Sequence, residues 1–196
     1  MTERIDDLIA SSYDVACRHG FHDVETSIEH QMMLVIGELG KAVEADRKNR
    51  RADVAAFKAL EEIRIGSDAE YAEYVNKCFV EHIKDTVEDE LADVCIRLFD
   101  ICGCFQIDIL KPSDGMREDW ERLFGEHSFT ECAYTVVRLL SGCHTGCYAS
   151  KLSTNIGSAL YFIEYWSEKL GIDLDWHIDM KQRYNDGRER LHGKKY

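Results

Sequence analysis

Apolar side chains along this chain return every three or four residues, and a single proline, Pro112, stands among 196 residues to interrupt them. Proline removes a helical N–H and clashes with the turn before it, so a chain almost free of it leaves helix length to caps and glycines. Period-two alternation, the mark of a half-buried strand, is scarce. These features predict an all-α fold, and 196 residues are enough to bury a substantial core.

The pattern is tightest in Ile83–Asp100. Val87, Leu91, Val94, Leu98 and Cys102 recur at spacings of four and three, the stripe of one helix face turned to a core. Glu90 and Asp93 lie on the adjoining face, with Thr86 and Arg97 one turn to either side. A second long helix follows the caps offered by Asp23–Ser27; Met32, Val35, Ile36, Leu39 and Val43 form its stripe, and Glu38, Lys41 and Glu44 a charged line beside it. Residues 4–18 read as a packing helix. Residues 53–78 read as one or two short helices broken at Gly66-Ser67-Asp68, an excursion between the two acidic helices. Ile107–Ser113 reads as a loop, Asp114–Phe124 as a short helix or ordered connection, and the stretches Phe129–Leu140 and Leu152–Leu170 as two further helices, the last closed by Gly171.

Charge narrows the function classes. Acidic residues number 37 against 24 basic ones, a net charge of −13, which disfavours a nucleic acid polymer or an anionic membrane as partner. An acidic protein that handles phosphates needs metal ions or a local basic cluster. No apolar run is long enough to span a bilayer, and Met1–Asp7 has no apolar signal core, so the expected location is cytoplasmic. Of the eight cysteines, Cys17, Cys78, Cys95 and Cys132 sit in apolar helical patterns, where a free thiol behaves as a small hydrophobe. Cys102-Gly103-Cys104 and Cys143–Cys147 lack the two-residue spacing of a zinc knuckle.

Three features carry candidate chemistry, each against a plainer alternative. Carboxylates three apart on a helix can face one hard cation, and Glu38 with Glu90 and Asp93 on a facing helix would make an open magnesium cage; the alternative is two solvated helix flanks. Arg47-Lys48-Asn49-Arg50-Arg51 is either a solvated helix end complementing the dipole or a phosphate clamp. In the basic tail, residues 177–196, Lys181, Tyr184, Asn185 and Arg188 share one helical side suited to a phosphorylated ligand; the alternative is a frayed cationic terminus.

Gly37-Glu38-Leu39-Gly40 with Glu44-Ala45, then Glu88-Asp89-Glu90-Leu91-Ala92-Asp93-Val94, resembles the two-part acidic signature of the MazG-like all-alpha nucleoside triphosphate pyrophosphohydrolases. The tail, with Lys181, Asn185 and Arg188 before His192-Gly193-Lys194, is similar to the substrate-contacting segment that closes that superfamily's chains. The resemblance implies a single MazG-like helical domain over 1–196 with extra helices inserted between the metal-site helices, assembled as a homodimer or homotetramer. It implies Mg2+ held by Glu38, Glu90 and Asp93, the catalytic trio, and a nucleoside triphosphate cut between its α and β phosphates. Lys181, Tyr184, Asn185, Arg188 and Lys194 would contact the substrate, and His30 would line the base pocket. The chain departs from the pattern at Lys41, where a second glutamate is usual. Either Glu44 takes over as a ligand, or fewer ions bind, or the protein is a catalytically silent nucleotide-binding or regulatory one.

Overall fold

A computed structural model describes residues 4–111, 113, 115–193 and 195. Among them there are nine α-helices and no strand: α1 (Ile5–Arg18), α2 (Ile28–Arg47), α3 (Val54–Glu61), α4 (Asp68–His82), α5 (Val87–Phe105), α6 (Met116–Phe124), α7 (Phe129–Leu140), α8 (Ala149–Lys169) and α9 (Leu174–Asp186), followed by a 3-10 turn, Arg190–Gly193. The all-α expectation holds. No described helix is long and apolar enough to cross a membrane.

Local sequence sets the helix starts. Ser27 accepts from the His30 N–H at the head of α2, and Asp173 from the Trp176 N–H at the head of α9. Ser67 with Glu70 and Ser128 with Glu131 form capping boxes on α4 and α7. At α5 the start falls later than the apolar stripe suggests. Asp85 takes a left-handed φ of 60°, Thr86 is extended, and the Thr86 hydroxyl accepts from the Asp89 N–H, so Ile83–Thr86 is a turn and the helix begins at Val87. Its stripe is fully buried, as are Phe99 and Ile101, because α5 packs against α1, α2, α8 and α9 at once.

Two apolar clusters result. The larger joins α1, α2, α5, α7 and α8. The smaller holds Phe57, Val75, Cys78, Phe79 and Ile83, with Trp176, Met180 and Tyr184 of α9 packed on it. The excursion between the acidic helices is therefore α3 and α4, a hairpin of helices seated on α9.

Candidate functional site

Packing α2 against α5 brings Glu38, Glu90 and Asp93 together, one oxygen from each lying within 4.8 Å of the others. Glu38 is not on a solvated flank: its side chain is 5% exposed, and that of Glu90 is 3% exposed. Arg97, one turn beyond Asp93, grips Glu38 Oε1 through Nε at 2.9 Å and a terminal nitrogen at 2.8 Å. Lys41, one turn beyond Glu38 on α2, donates to Glu38 Oε2 and lies 3.8 Å from Glu90 Oε2. From α9, Lys181 reaches in to Asp89 at 2.8 Å and Asp93 at 3.4 Å. Asp89 also accepts from the Asp85 N–H at 3.0 Å, which ties the turn before α5 to the site.

Burial dominates the electrostatics. It pushes the Glu90 carboxyl up to about 7, against the pull of Lys41 and Lys181, while Asp93 and Asp89 add to the rise. Burial raises Asp89 as well, although Lys181 opposes it. For Lys181 burial works the other way, yet Asp93 and Asp89 outweigh it and hold the ammonium charged. Lys41 behaves alike: burial disfavours its charge, and Glu38, Glu90 and Asp93 restore it. Four carboxylates (Glu38, Asp89, Glu90, Asp93) thus face three cations (Lys41, Arg97, Lys181). Glu90 Oε2 is buried and accepts no hydrogen bond. Two buried carboxylate oxygens without a donor, Glu90 Oε2 and Asp89 Oδ1, beside the compact set of Glu38, Glu90 and Asp93 fit a hard cation, with the half-exposed Lys41 able to swing aside or to remain as a neighbouring charge.

Clefts open at either end of this cluster. The first is lined by Asp93 and Arg97 of α5, His30 and Gln31 of α2, and Asn185 and Arg188 of the tail. Asn185 is 6% exposed, and its Oδ1 is buried without a hydrogen bond. Arg188 donates to the His192 carbonyl at 3.0 Å, and the His192 ring packs edge-on against Phe21, so the 3-10 turn folds over as one wall. The second cleft is lined by Lys41, Glu44, Lys48, Arg50, Asp85 and Glu90. The first cleft takes the early residues of α2 and the later ones of α5, the second the reverse. The two therefore follow one another along an antiparallel seam, with the carboxylates between them.

The structure sorts the sequence candidates. Glu38, Glu90 and Asp93 meet; His30, Asn185 and Arg188 line the first cleft beside Asp93. Lys181 does not stand open to a phosphate, because its buried ammonium is committed to Asp89 and Asp93. Tyr184 points the other way, stacked on Phe79 at 4.6 Å in the smaller core. Glu44 bonds Arg47 at 3.1 Å and Lys48 at 3.0 Å and belongs to neither compact ligand set among the described residues. Lys194 lies outside the described residues. Missed from the sequence were Asp89 and Arg97 as working members of the cluster, and a half-buried pair of His22 and Asp100 at 2.6 Å near the first cleft. Arg97 was detectable as the position one turn after Asp93; His22 carried no local signal. All eight cysteines are free thiols, none joins a compact ligand set among the described residues, and burial raises Cys102 to about 12 and Cys143 to about 11.

No family model matches the chain, and neither a curated protein nor a solved structure is similar to it.

Proposed function

We propose that this chain is a magnesium-dependent, MazG-like nucleoside triphosphate pyrophosphohydrolase, taking a nucleoside triphosphate and water to the monophosphate and pyrophosphate. The observation that carries the reading is the compact trio of Glu38 and Glu90, both buried, with the half-buried Asp93, set between two clefts. Glu38, Glu90 and Asp93 would hold the magnesium, which supplies Lewis-acid stabilisation of the phosphate charge. Arg97 fixes Glu38 in position through two hydrogen bonds. Glu90 Oε2, buried and without a hydrogen bond, is left open to the metal and the water it carries. Asn185 Oδ1 is free to accept from a sugar hydroxyl or a base N–H, and Arg188 supplies a cation at the same wall. The same reading makes the protein a cytoplasmic homodimer or homotetramer.

A second reading, a nucleotide-binding protein without turnover, is favoured by one observation: Lys41 already reaches Glu38 and Glu90 as a resident cation. One experiment separates them. The protein is incubated with magnesium and a panel of nucleoside triphosphates, and monophosphate, diphosphate and pyrophosphate are resolved chromatographically. Hydrolase activity appears as pyrophosphate, falling on the order of a hundredfold in Glu90→Gln. Calorimetric nucleotide binding with no product, converted to turnover by Lys41→Glu, decides for the silent reading.

A further inference from the structure

Two tight turns connect α7 to α8 and carry a pair of thiols, Cys143 and Cys147. The Cys143 N–H donates to the Leu140 carbonyl at 2.9 Å, and the Cys147 N–H to the His144 carbonyl at 3.0 Å. Gly146 takes a left-handed φ of 83° and so closes the second turn. The segment folds back far enough for the Cys147 thiol to donate to the Gly142 carbonyl at 3.4 Å. That carbonyl belongs to the peptide joining Gly142 to Cys143, so the Cys147 sulfur lies within about 6 Å of the Cys143 Cα. A disulfide joins Cα atoms about 4.4–6.8 Å apart, and rotation of the two side chains with a small adjustment of the loop brings the sulfurs together. The thiols differ in access. Cys143 is 5% exposed and belongs to the larger core, whereas Cys147 is half-buried on the wall of a surface hollow shared with Thr26, Phe105 and Leu152.

We infer that Cys143 and Cys147 form a reversible disulfide in response to peroxide, and that their loop is a redox switch on the head of α2. The inference is independent of the hydrolase reading. Cys147, the accessible thiol, takes an oxygen atom from hydrogen peroxide, giving a sulfenic acid and water. The Cys143 sulfur then attacks the Cys147 sulfur; the S–S bond forms as the S–O bond breaks, and the hydroxyl leaves with the Cys143 proton as water. A dithiol reductant restores both thiols. Burial raises Cys143 to about 11 against the pull of Asn155, and Cys147 adds to the rise, so Cys143 is inert to peroxide by itself and serves as the resolving thiol. Thr145 stands at the apex of the ring that the bridge closes. Its N–H and hydroxyl grip the two Glu29 carboxylate oxygens at 2.6 and 2.8 Å and help to hold that carboxyl down at about 2. Glu29 directly precedes His30 and Gln31, which line the first cleft. Closing the ring draws Cys147 off the Gly142 carbonyl and turns Thr145 from Glu29, so oxidation loosens the first turn of α2 and with it one wall of that cleft.

The test is peptide mapping of the full chain after hydrogen peroxide, with the remaining thiols alkylated. Trypsin, cutting after Arg138 and Lys151, releases Leu139–Lys151, whose only thiols are Cys143 and Cys147. That peptide should lose two hydrogens and take up no label, then accept label at both positions after dithiothreitol. Cys147→Ser should abolish the bridge and leave Cys143 labelled, whereas Cys17→Ser, a change at the exposed thiol of α1, should leave the bridge intact. Hydrogen exchange followed by NMR reads the switch. The Thr145 amide, which donates to Glu29, should exchange about tenfold faster in the oxidised chain, the scale of one lost hydrogen bond, and should be unmoved in peroxide-treated Cys147→Ser. No oxidation of the peptide, a bridge to a cysteine outside it, or Cys147 carried on to the sulfinic acid overturns the disulfide. A Cys143–Cys147 bridge that leaves Thr145 exchange unchanged overturns the switch.

Discussion

At the scale of single residues, the link between the tail and the site is the buried ion pair of Lys181 and Asp89, with side chains 5% and 0% exposed. A buried pair is expensive to assemble and more expensive to halve, because truncating one partner strands the other's charge in a dry interior. Lys181→Met should therefore destabilise the protein by about 3–5 kcal/mol. The double variant Asp89→Asn with Lys181→Met should recover most of that, since the amide that replaces the carboxylate keeps an oxygen for the Asp85 N–H. Urea unfolding of the two variants checks it; equal loss in both means that the lysine acts through packing alone. This pair also marks a limit of sequence reading. Spacing put Lys181, Tyr184, Asn185 and Arg188 on one helical side, yet α9 is packed on two faces, and a turn of the helix decides which residue meets ligand. Asn185 and Arg188 reach the first cleft, Tyr184 meets Phe79, and Lys181 enters the carboxylate cluster. Charge type alone could not separate these fates.

At the scale of elements, α2 and α5 were legible because their stripes are continuous and caps precede them. What pattern could not give was the first turn of α5, where apolar Ile83 and Val87 suggest one unbroken helix. Thr86 ends that continuity. Its hydroxyl donates to the Ile83 carbonyl at 2.6 Å and accepts from the Asp89 N–H at 3.3 Å, so one buried side chain joins the turn to the helix. Thr86→Ala should cost about 1–2 kcal/mol of stability, at the upper end for a cap because its oxygen serves two backbone groups. Thr86→Ser should retain most of it. Thermal unfolding distinguishes them, and a Ser variant as damaged as Ala would assign the effect to the threonine methyl. The same logic explains why α3 and α4 were readable as helices but not as to where they pack. Their apolar residues are few, and only the tertiary structure pairs Phe57 and Phe79 with Trp176 and Tyr184 on α9.

At the scale of the whole molecule, two buried groups make the metal-free protein respond to pH in opposite directions. His177 is buried against Trp176 with no hydrogen bond at Nδ1, and burial lowers it to about 4. Its folded value lies below its unfolded one, so the stability present above about 6.5 is lost as the pH falls toward 4, by about 3 kcal/mol in full. Glu90 is raised to about 7, above its unfolded value. Its contribution is complete below about 4.5 and is lost as the pH rises through 7, again by about 3 kcal/mol. Between pH 4.5 and 6.5 the two oppose each other. With metal chelated, Glu90→Gln should therefore gain stability over the unaltered chain at pH 7.5 and lose that gain toward pH 5, whereas His177→Phe should show its relative advantage on the acid side. Urea unfolding at the two pH values reads both, and variant curves parallel to that of the unaltered chain would remove both assignments. Magnesium ties this behaviour to the site. A cation needs Glu90 ionised, so its stabilising effect should be larger at pH 7.5 than at pH 5 and absent from Glu90→Gln. Magnesium stabilisation that is independent of pH and survives that substitution would mean that the ion sits elsewhere than between α2 and α5.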